Sequence, residues 1–383
     1  MSHERIIGHT SVLLLSIVGL GFGCEPAARQ FGDGGAGGMD GSVGPAGPTG
    51  SISSTGPGSQ VASTGAGTCS PGQLSCGGGC VEIVSNSDSC GDCGHSCLGG
   101  KCELSTCQPV VLASGQANPL GIALDGENVY WANEAAGTVV GVPKQGGDVF
   151  KLADGQNTPA AVATDGLRVF WVSPLGGTVS AAAIGENKPF TLVVGQDNPG
   201  AIAVDAKNLY WANSNVLFFM PKSGGTPQQL AGNQGGANSI AVVGSGIYWT
   251  TVKAGTVMRI PAVGEVATTL ASGLSDVAGI AVFGMNAYVT TASSNTVLRV
   301  PISGGNNVTT FAAAQALPTG IAADASGVYW TNRGDKTVMG APLAGGAART
   351  LAFGQDNPAY IATDDRAVYW VNTAAGTVMK LAK

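Results

Sequence analysis

The chain has 383 residues, of which only 11 % are charged and 61 are glycine, and its net charge is −6. That length is sufficient for two or three domains with buried cores. From Gln108 onward basic and acidic residues are nearly balanced, and no stretch concentrates lysine or arginine. The composition therefore argues against a nucleic-acid-binding protein.

Residues 1–24 have the features of an export signal. Arg5 precedes the apolar stretch Val12–Leu20, which is too short for an ordinary transmembrane helix, and Cys24 follows directly. A lone cysteine at this place resembles the processing site of bacterial lipoproteins, although Leu20 stands one position further from the cysteine than in that pattern. The resemblance implies acylation of Cys24 and a membrane-anchored protein of the cell envelope. The alternative is a secreted protein.

Residues 25–68 are a low-complexity segment of Gly, Ser, Ala and Pro. Such a segment buries too little apolar surface to offset the entropy lost on ordering, so we expect a disordered tether. A tether of this length would hold the following domains away from a membrane surface.

Residues 69–107 form a cysteine-rich module with eight of the nine cysteines: Cys69, Cys76, Cys80, Cys90, Cys93, Cys97, Cys102 and Cys107. Little aliphatic core separates them, so covalent links must supply the stability. In an exported chain this even number predicts four disulfides of undetermined pairing. Zinc binding by the CxxC pair Cys90 and Cys93 with His95 is the alternative. The run from Cys90 to Cys97 resembles small modules of stigma-specific-protein type, which implies an extracellular module without activity.

From residue 109 to residue 383 the sequence repeats about every 40 residues. Six of the units carry an aromatic pair that ends in tryptophan: Trp131, Trp171, Trp211, Trp249, Trp330 and Trp370. Tyr288-Val289 marks the remaining unit. Each unit contains four short β-rich segments separated by Gly, Pro or Asp turns, and helical periodicity is missing. We therefore predict an all-β fold, a seven-bladed β-propeller of four-stranded blades.

The last unit stops after its third strand, and the segment Pro109–Ala113 resembles the missing fourth strand. We predict that this N-terminal strand lies beside the strand near Val378 and closes the ring, which removes a free sheet edge. Successive residues of a strand point to opposite faces, so Tyr130 and Trp131 would fill the two gaps beside their blade. We assign the six tryptophans to this packing. Recurring aspartates are predicted to bond turn amides: Asp125, Asp165, Asp205, Asp324 and Asp364.

The sequence Tyr329-Trp330-Thr331-Asn332 is one residue from the YWTD signature, and the chain resembles the YWTD propellers of the low-density-lipoprotein receptors. It is equally similar to NHL-type and related bacterial surface propellers. The chain departs from the YWTD pattern in having Asn, Ser or Thr at the signature Asp, and seven units where those propellers usually have six blades. The resemblance implies an extracellular binding or spacer domain and transfers no catalytic residue.

A candidate ligand face is predicted from the loops that enter the inner strands and those that join the second to the third strands. The first loop set repeats a glutamine, and four units carry an asparagine after the second strand. With two charged loop residues, the face comprises Gln116, Gln156, Gln196, Gln234, Gln315, Gln355, Asn133, Asn213, Asn332, Asn372, Lys253 and Arg333. A ring of amides would suit a polar ligand or a sugar. The alternative is that each glutamine satisfies local backbone, because a repeated residue usually serves the repeat.

Two departures from the repeat are candidates for a partner patch. The third unit carries the apolar run Val216–Met220. The fourth and sixth units carry charge in the loop after the second strand, at Lys253 and at Arg333, Asp335 and Lys336, and Arg333-Gly334-Asp335 also spells an integrin-type tripeptide. The alternative interpretation is a well-packed third blade and solvated loop tips.

The propeller sequence lacks the histidines that several enzymatic functions would need. The three histidines are His3, His9 and His95, so the propeller has neither a histidine base nor a Ser-His-Asp triad. We predict a monomeric, non-catalytic cell-surface protein without cofactor or metal that binds a protein, a glycan or an envelope component. A calcium-dependent gluconolactonase-like hydrolase or lyase is the alternative, although none of the four propeller glutamates recurs near an inner strand. A structural spacer is the third possibility.

Overall fold

A computed structural model describes residues 69–383, so the predicted signal, Cys24 and the tether lie outside the described residues. Within that range every regular element is a β-strand, numbered β1 to β32 in chain order. The strands form two small two-stranded sheets, followed by seven four-stranded antiparallel sheets. The predicted all-β class is confirmed.

The cysteine-rich module contains two hairpins, whose strands are β1 (Gln73–Cys76), β2 (Gly79–Glu82), β3 (Cys102–Glu103) and β4 (Thr106–Cys107). Four disulfides hold it together: Cys69–Cys80, Cys76–Cys93, Cys90–Cys102 and Cys97–Cys107. The sulfurs of Cys90, Cys97 and Cys102 lie within 4.8 Å of one another. Because all three are in disulfides, they offer no thiolate to zinc.

Each propeller blade has four strands, counted outward from the central axis. The inner strands are β6 (Pro119–Leu124), β10 (Val162–Thr164), β14 (Ala201–Val204), β18 (Ala237–Val243), β22 (Val277–Phe283), β26 (Pro318–Asp324) and β30 (Pro358–Thr363). The second strands are β7 (Asn128–Asn133), β11 (Arg168–Ser173), β15 (Asn208–Ala212), β19 (Gly246–Thr251), β23 (Asn286–Thr291), β27 (Gly327–Asn332) and β31 (Ala367–Asn372).

The two remaining strands of each blade face outward. The third strands are β8 (Thr138–Pro143), β12 (Thr178–Ala183), β16 (Leu217–Pro221), β20 (Thr256–Ile260), β24 (Thr296–Pro301), β28 (Thr337–Ala341) and β32 (Thr377–Ala382). The outer strands are β9 (Phe150–Ala153), β13 (Phe190–Val193), β17 (Gln228–Ala231), β21 (Thr268–Ala271), β25 (Thr309–Ala312), β29 (Arg349–Ala352) and, for blade 7, β5 (Val110–Ala113).

The ring closes in blade 7, as predicted. Strand β5 pairs antiparallel with β32, with Ala113 opposite Val378. Each inner strand lies beside the inner strand of the next blade, including β30 beside β6. The seven sheets therefore form a closed ring whose last blade combines the two ends of the propeller sequence.

The aromatic pairs fill the gaps between blades. Trp131 packs with Tyr369 and Val371 of blade 7, and Tyr130 packs with Val169 and Trp171 of blade 2. All six tryptophans are fully buried. A second strand is thus covered on both faces, which explains why its residues are almost continuously apolar.

Ion pairs also join neighbouring blades. Lys144 of blade 1 lies 2.7 Å from Asp364 of blade 7, and Lys222 of blade 3 lies 2.8 Å from Asp165 of blade 2. Lys383 pairs with Asp324 across the seam between blades 7 and 6. We call these three pairs the inter-blade ion pairs.

Candidate functional site

A cavity of about 510 Å³ lies on the axis of the ring, where the inner strands begin. Residues from all seven inner strands line it, so we call it the channel mouth. Most of its lining is small or aliphatic, and its larger polar side chains are Asn238, Asp276, Arg333 and Tyr360. The loops that enter the inner strands and those that join the second to the third strands contribute Asp276 and Arg333.

The walls of the channel mouth are held in place by backbone packing and threonine hydroxyls. Gly279 approaches the next blade so closely that an added Cβ would lie 2.7 Å from the carbonyl oxygen of Thr319. The hydroxyl of Thr290 donates to the same carbonyl at 2.6 Å, and that of Thr331 donates to the Ala359 carbonyl at 2.8 Å. Inner strands of adjacent blades are therefore fixed relative to one another beside the cavity.

Tyr360 is the one aromatic residue that lines the channel mouth. In each blade one residue of the inner strand lies opposite the Trp position of the second strand, and in blade 7 Tyr360 directly precedes that residue. The other six blades have a small residue at this place: Gly121, Ala161, Ala201, Ser239, Gly279 and Gly320. Tyr360 keeps 41 % of its surface accessible although strands surround it, because the channel is open to water. Tyr360 is not among the residues predicted from the sequence, although its departure from the repeat is visible in the sequence.

Charged residues from both neighbouring blades act on Tyr360. Burial and the negative charge of Glu134 in blade 1 raise the pKa of the Tyr360 phenol, and Arg333 in blade 6 opposes that rise. The Nε atom of Arg333 donates to the Oδ1 atom of Asn357 at 2.6 Å, which orients the guanidinium. The phenol therefore remains protonated at neutral pH and can donate a hydrogen bond.

Two further polar side chains of the channel mouth, Asp276 and Asn238, each have an acceptor oxygen without a hydrogen-bond partner in the described part of the chain. Asp276 accepts from the Ser293 hydroxyl through Oδ2 at 2.9 Å, and Asn238 donates to the Ala278 carbonyl through Nδ2 at 2.9 Å. Within residues 69–383 the Oδ1 atoms of Asp276 and Asn238 have no hydrogen-bond partner. The lining of the channel mouth thus combines one cation, one carboxylate and one amide with one aromatic ring.

The six glutamines of the predicted ligand face lie inside their blades. Each Oε1 atom accepts from the indole Nε1 of its own tryptophan at 2.8–3.1 Å. Each Nε2 atom donates to the carbonyl two residues earlier at 2.6–3.3 Å. The four asparagines donate to the same Oε1 atoms at 2.8–3.2 Å. These residues form a Trp–Gln–Asn clamp in which both polar atoms of each glutamine are engaged. The Oδ1 atoms of Asn213, Asn332 and Asn372 have no partner among the described residues but are buried, so a ligand at the surface does not reach them.

Blade 5 shows why the glutamine recurs. It has Val289 in place of tryptophan and Leu274 in place of glutamine, and both side chains pack in the same apolar cluster. Where the indole donor is missing, the acceptor is missing as well. The glutamine therefore serves the tryptophan rather than the loop backbone alone.

The remaining sequence candidates divide between surface and core. Arg333 lines the channel mouth, whereas the exposed Lys253 does not. Lys336 pairs with Asp356 at 3.0 Å on the surface. In the run Val216–Met220, Leu217 and Met220 are buried, and the rings of Phe218 and Phe219 stack on the aromatic pair of their own blade.

The opposite end of the ring carries the recurring aspartates. Asp125, for example, accepts from the backbone amides of Glu127 and Asn128 at 2.8 and 2.7 Å, which is the predicted turn role. A second cavity of about 580 Å³ lies there between the module and the propeller. The buried Lys380 extends its Nζ atom to the carbonyls of Leu98 and Lys144, at 2.6 and 2.9 Å. Lys380 thus joins the module to the closing seam.

No protein-family model and no curated relative matches the chain. Solved structures that resemble it include a streptogramin B lyase (14 % identity, TM-score 0.62), which covers 72 % of this chain and 96 % of its own. The virginiamycin B lyase of Staphylococcus aureus (14 %, TM-score 0.61) covers 72 % and 98 %. The WD40 propeller domain of Doa1 (12 %, TM-score 0.62) covers 72 % and 96 %. Identities this low define the fold alone.

The chain is therefore a seven-bladed β-propeller preceded by a disulfide-rich module. Four disulfides in a small module are typical of extracytoplasmic proteins. Within residues 69–383 no helix is long and apolar enough to cross a membrane.

Proposed function

We propose that this protein is a non-catalytic binding protein of the cell envelope that holds its ligand at the channel mouth. The observation that carries the proposal is the break in the repeat at Tyr360. Six blades place Gly, Ala or Ser at that position, so the fold itself does not need an aromatic ring there. A partly accessible ring in a concave site with convergent polar groups is a common arrangement for ligand binding.

The chemistry of the lining supports binding rather than catalysis. A general base at neutral pH needs a pKa near 7, whereas the raised pKa of Tyr360 keeps its phenol protonated. The calcium-dependent alternative would need six to eight oxygen ligands with several carboxylates. Asp276 is the one carboxylate in the lining of the channel mouth, and the recurring aspartates lie at the opposite end of the ring. We therefore do not favour the hydrolase or lyase.

An envelope location fits the disulfides and the N-terminal sequence. If Cys24 is acylated, the propeller is attached to a membrane through residues 25–68 and can meet ligands at a surface. We expect the full chain to fractionate with membranes and the Cys24→Ser variant to be soluble, measured by immunoblotting of cell fractions. Equal distribution of the two proteins would favour the secreted alternative.

The binding function is tested with the immobilised full chain and an envelope extract. We expect retention of a component by the wild type and by Phe353→Ala, but not by Tyr360→Ala. Phe353 is the matched control because it is an aromatic residue at the same end of the ring, directly after the outer strand of blade 6, 75 % exposed and outside the cavity. Retention that is insensitive to Tyr360→Ala would contradict the proposed site. Chemical conversion of the retained component would show that the protein is an enzyme and would contradict the proposed non-catalytic function.

A further inference from the structure

The polar groups of the channel mouth indicate what kind of ligand it accepts. Four groups remain available for hydrogen bonds: the Tyr360 hydroxyl, the terminal nitrogens of Arg333, and the Oδ1 atoms of Asp276 and Asn238. Two of these residues supply donors and two supply acceptors. A ligand that satisfies them must itself carry several donors and acceptors, because polar groups left unpaired on binding reduce affinity.

The charges of the channel mouth do not favour an ionic ligand. Arg333 is the one cation in the lining and Asp276 the one carboxylate, while Glu134 adds a second negative charge close to Tyr360. Anionic phosphate is usually bound by several cationic or amide donors, and here it would face two carboxylates. A cationic ligand would face the guanidinium. The balance of charge favours a neutral ligand.

The rest of the lining is mostly small and apolar. Aliphatic residues such as Ile122, Ile202 and Ile321, together with glycines and alanines, line the cavity with Tyr360. A wholly polar ligand would leave this surface uncovered, and a wholly apolar one would leave the charged groups desolvated without partners. The matching ligand has an apolar face and a rim of hydroxyls.

We propose that the channel mouth binds a neutral saccharide, with the C–H face of a pyranose ring on Tyr360 and its hydroxyls on Arg333, Asp276 and Asn238. The inference rests on the proposed binding function and names the ligand class for that same site. Aromatic rings contribute an apolar platform of fixed geometry, and charged hydrogen-bond partners give the stronger contacts. The size of the cavity is within the range of small-ligand sites.

The test is titration of the full chain with N-acetylglucosamine, its β-1,4-linked disaccharide, maltose and inorganic phosphate, followed by isothermal calorimetry and saturation-transfer NMR. We expect at least one sugar to bind with saturation and phosphate not to bind. Tyr360→Ala is expected to weaken sugar binding at least about tenfold, which corresponds to 1.4 kcal/mol. Tyr360→Phe keeps the ring but loses the hydroxyl, so it is expected to weaken binding clearly less than Tyr360→Ala does.

Matched variants keep the result interpretable. Phe353→Ala is expected to bind sugar as the wild type does, and circular dichroism with thermal unfolding checks that each variant is folded. Arg333→Ala is expected to weaken binding without changing the melting temperature, because Arg333 lies on an exposed loop. If Tyr360→Phe loses binding as completely as Tyr360→Ala, the ring is not a sugar platform and the proposal is overturned.

Failure of the saccharide inference is distinguishable from failure of the binding function. If none of the sugars binds while an envelope protein is retained in a Tyr360-dependent manner, the ligand class is wrong and the site is right. If phosphate binds and the sugars do not, the charge argument is wrong. If neither sugar nor envelope component depends on Tyr360, both proposals fall.

Discussion

The Trp–Gln hydrogen bond ties two positions that are 15 residues apart in each of six blades. In blade 6 the Oε1 atom of the buried Gln315 accepts from Trp330 at 2.8 Å and from Asn332 at 3.1 Å. Removing this acceptor leaves the buried indole N–H of Trp330 without a partner, at a cost of about 1–3 kcal/mol, while Asn332 keeps its hydrogen bond to the Thr337 hydroxyl at 3.3 Å. A residue that looks like a surface loop amide in the sequence is therefore part of the core.

We predict that Gln315→Leu lowers the free energy of unfolding by about 2 kcal/mol, because leucine matches the size of glutamine but cannot accept a hydrogen bond. Chemical denaturation measures the change. Gln228→Leu on the exposed face of β17 is the matched control and should change stability by less than about 0.5 kcal/mol. Equal losses in the two variants would show that the clamp contributes nothing.

The sequence predicted the repeat more easily than the partners inside it. Recurrence of the glutamines was visible, and the simultaneous loss of Trp and Gln in blade 5 at Val289 and Leu274 was the signal of their pairing. The joint loss points to a pair of residues. Recurrence of the glutamine alone does not, because a ring of ligand-binding amides and a hydrogen bond to the local backbone explain it equally well. Tyr360 was missed for the opposite reason, because it does not recur and its neighbours in space lie in other blades.

The closing strand β5 differs from the other six outer strands in its connection. Each of the others continues from the third strand of its blade through a hairpin, whereas β5 meets β32 by hydrogen bonds and packing alone. Leu112 of β5 and Leu152 of β9 occupy equivalent buried positions in blades 7 and 1. Truncating the leucine at the two sites therefore compares a strand held by hydrogen bonds and packing alone with a strand that is also joined to its partner by a hairpin.

We predict that Leu112→Ala and Leu152→Ala each lower stability by about 2–4 kcal/mol through lost packing. Only Leu112→Ala should also speed hydrogen exchange of its own strand beyond the global loss, because no hairpin holds β5 against local opening. Hydrogen exchange with mass spectrometry resolves the two segments. Similar exchange of 110–113 and 150–153 in the respective variants would contradict a locally weak seam.

The existence of β5 and its partner strand followed from counting, because seven inner strands with one missing outer strand leave a single place for it. The pairing of the cysteines did not follow, since spacing alone does not determine which sulfurs meet in a module without a regular core. Nor did the contact of the module with blade 7 through Lys380, because that contact joins residues 282 positions apart.

At the scale of the whole ring, the inter-blade ion pairs make stability depend on pH. Burial opposes the charge of Asp364, but hydrogen bonds from Lys144 and from two backbone amides outweigh it and hold the pKa of that carboxyl below its ordinary value of 3.8. Asp165, beside Lys222, shows the same balance. The unfolded chain therefore binds more protons in acid than the folded chain does.

We predict that this stabilisation is complete above the unfolded carboxyl pKa and is lost as the pH falls through the lowered folded values. Each pair should contribute on the order of 1 kcal/mol. Urea unfolding at a series of pH values between 7 and 3 measures the loss. Asp364→Asn keeps an acceptor oxygen but removes the charge, so the stability of this variant should change less with pH than that of the wild type. A pH profile identical to that of the wild type would refute the role of this pair.

The register of the closing seam has a mechanical consequence. Val110, the first residue of β5, lies opposite Lys380, close to the last residue of β32. If the protein is stretched between its two ends, the tension reaches this antiparallel pair at one edge, and the hydrogen bonds rupture one after another rather than together. A propeller anchored at its N-terminus and pulled through its C-terminus would therefore unzip at blade 7 under low force, while pulling between two interior blades would meet far greater resistance.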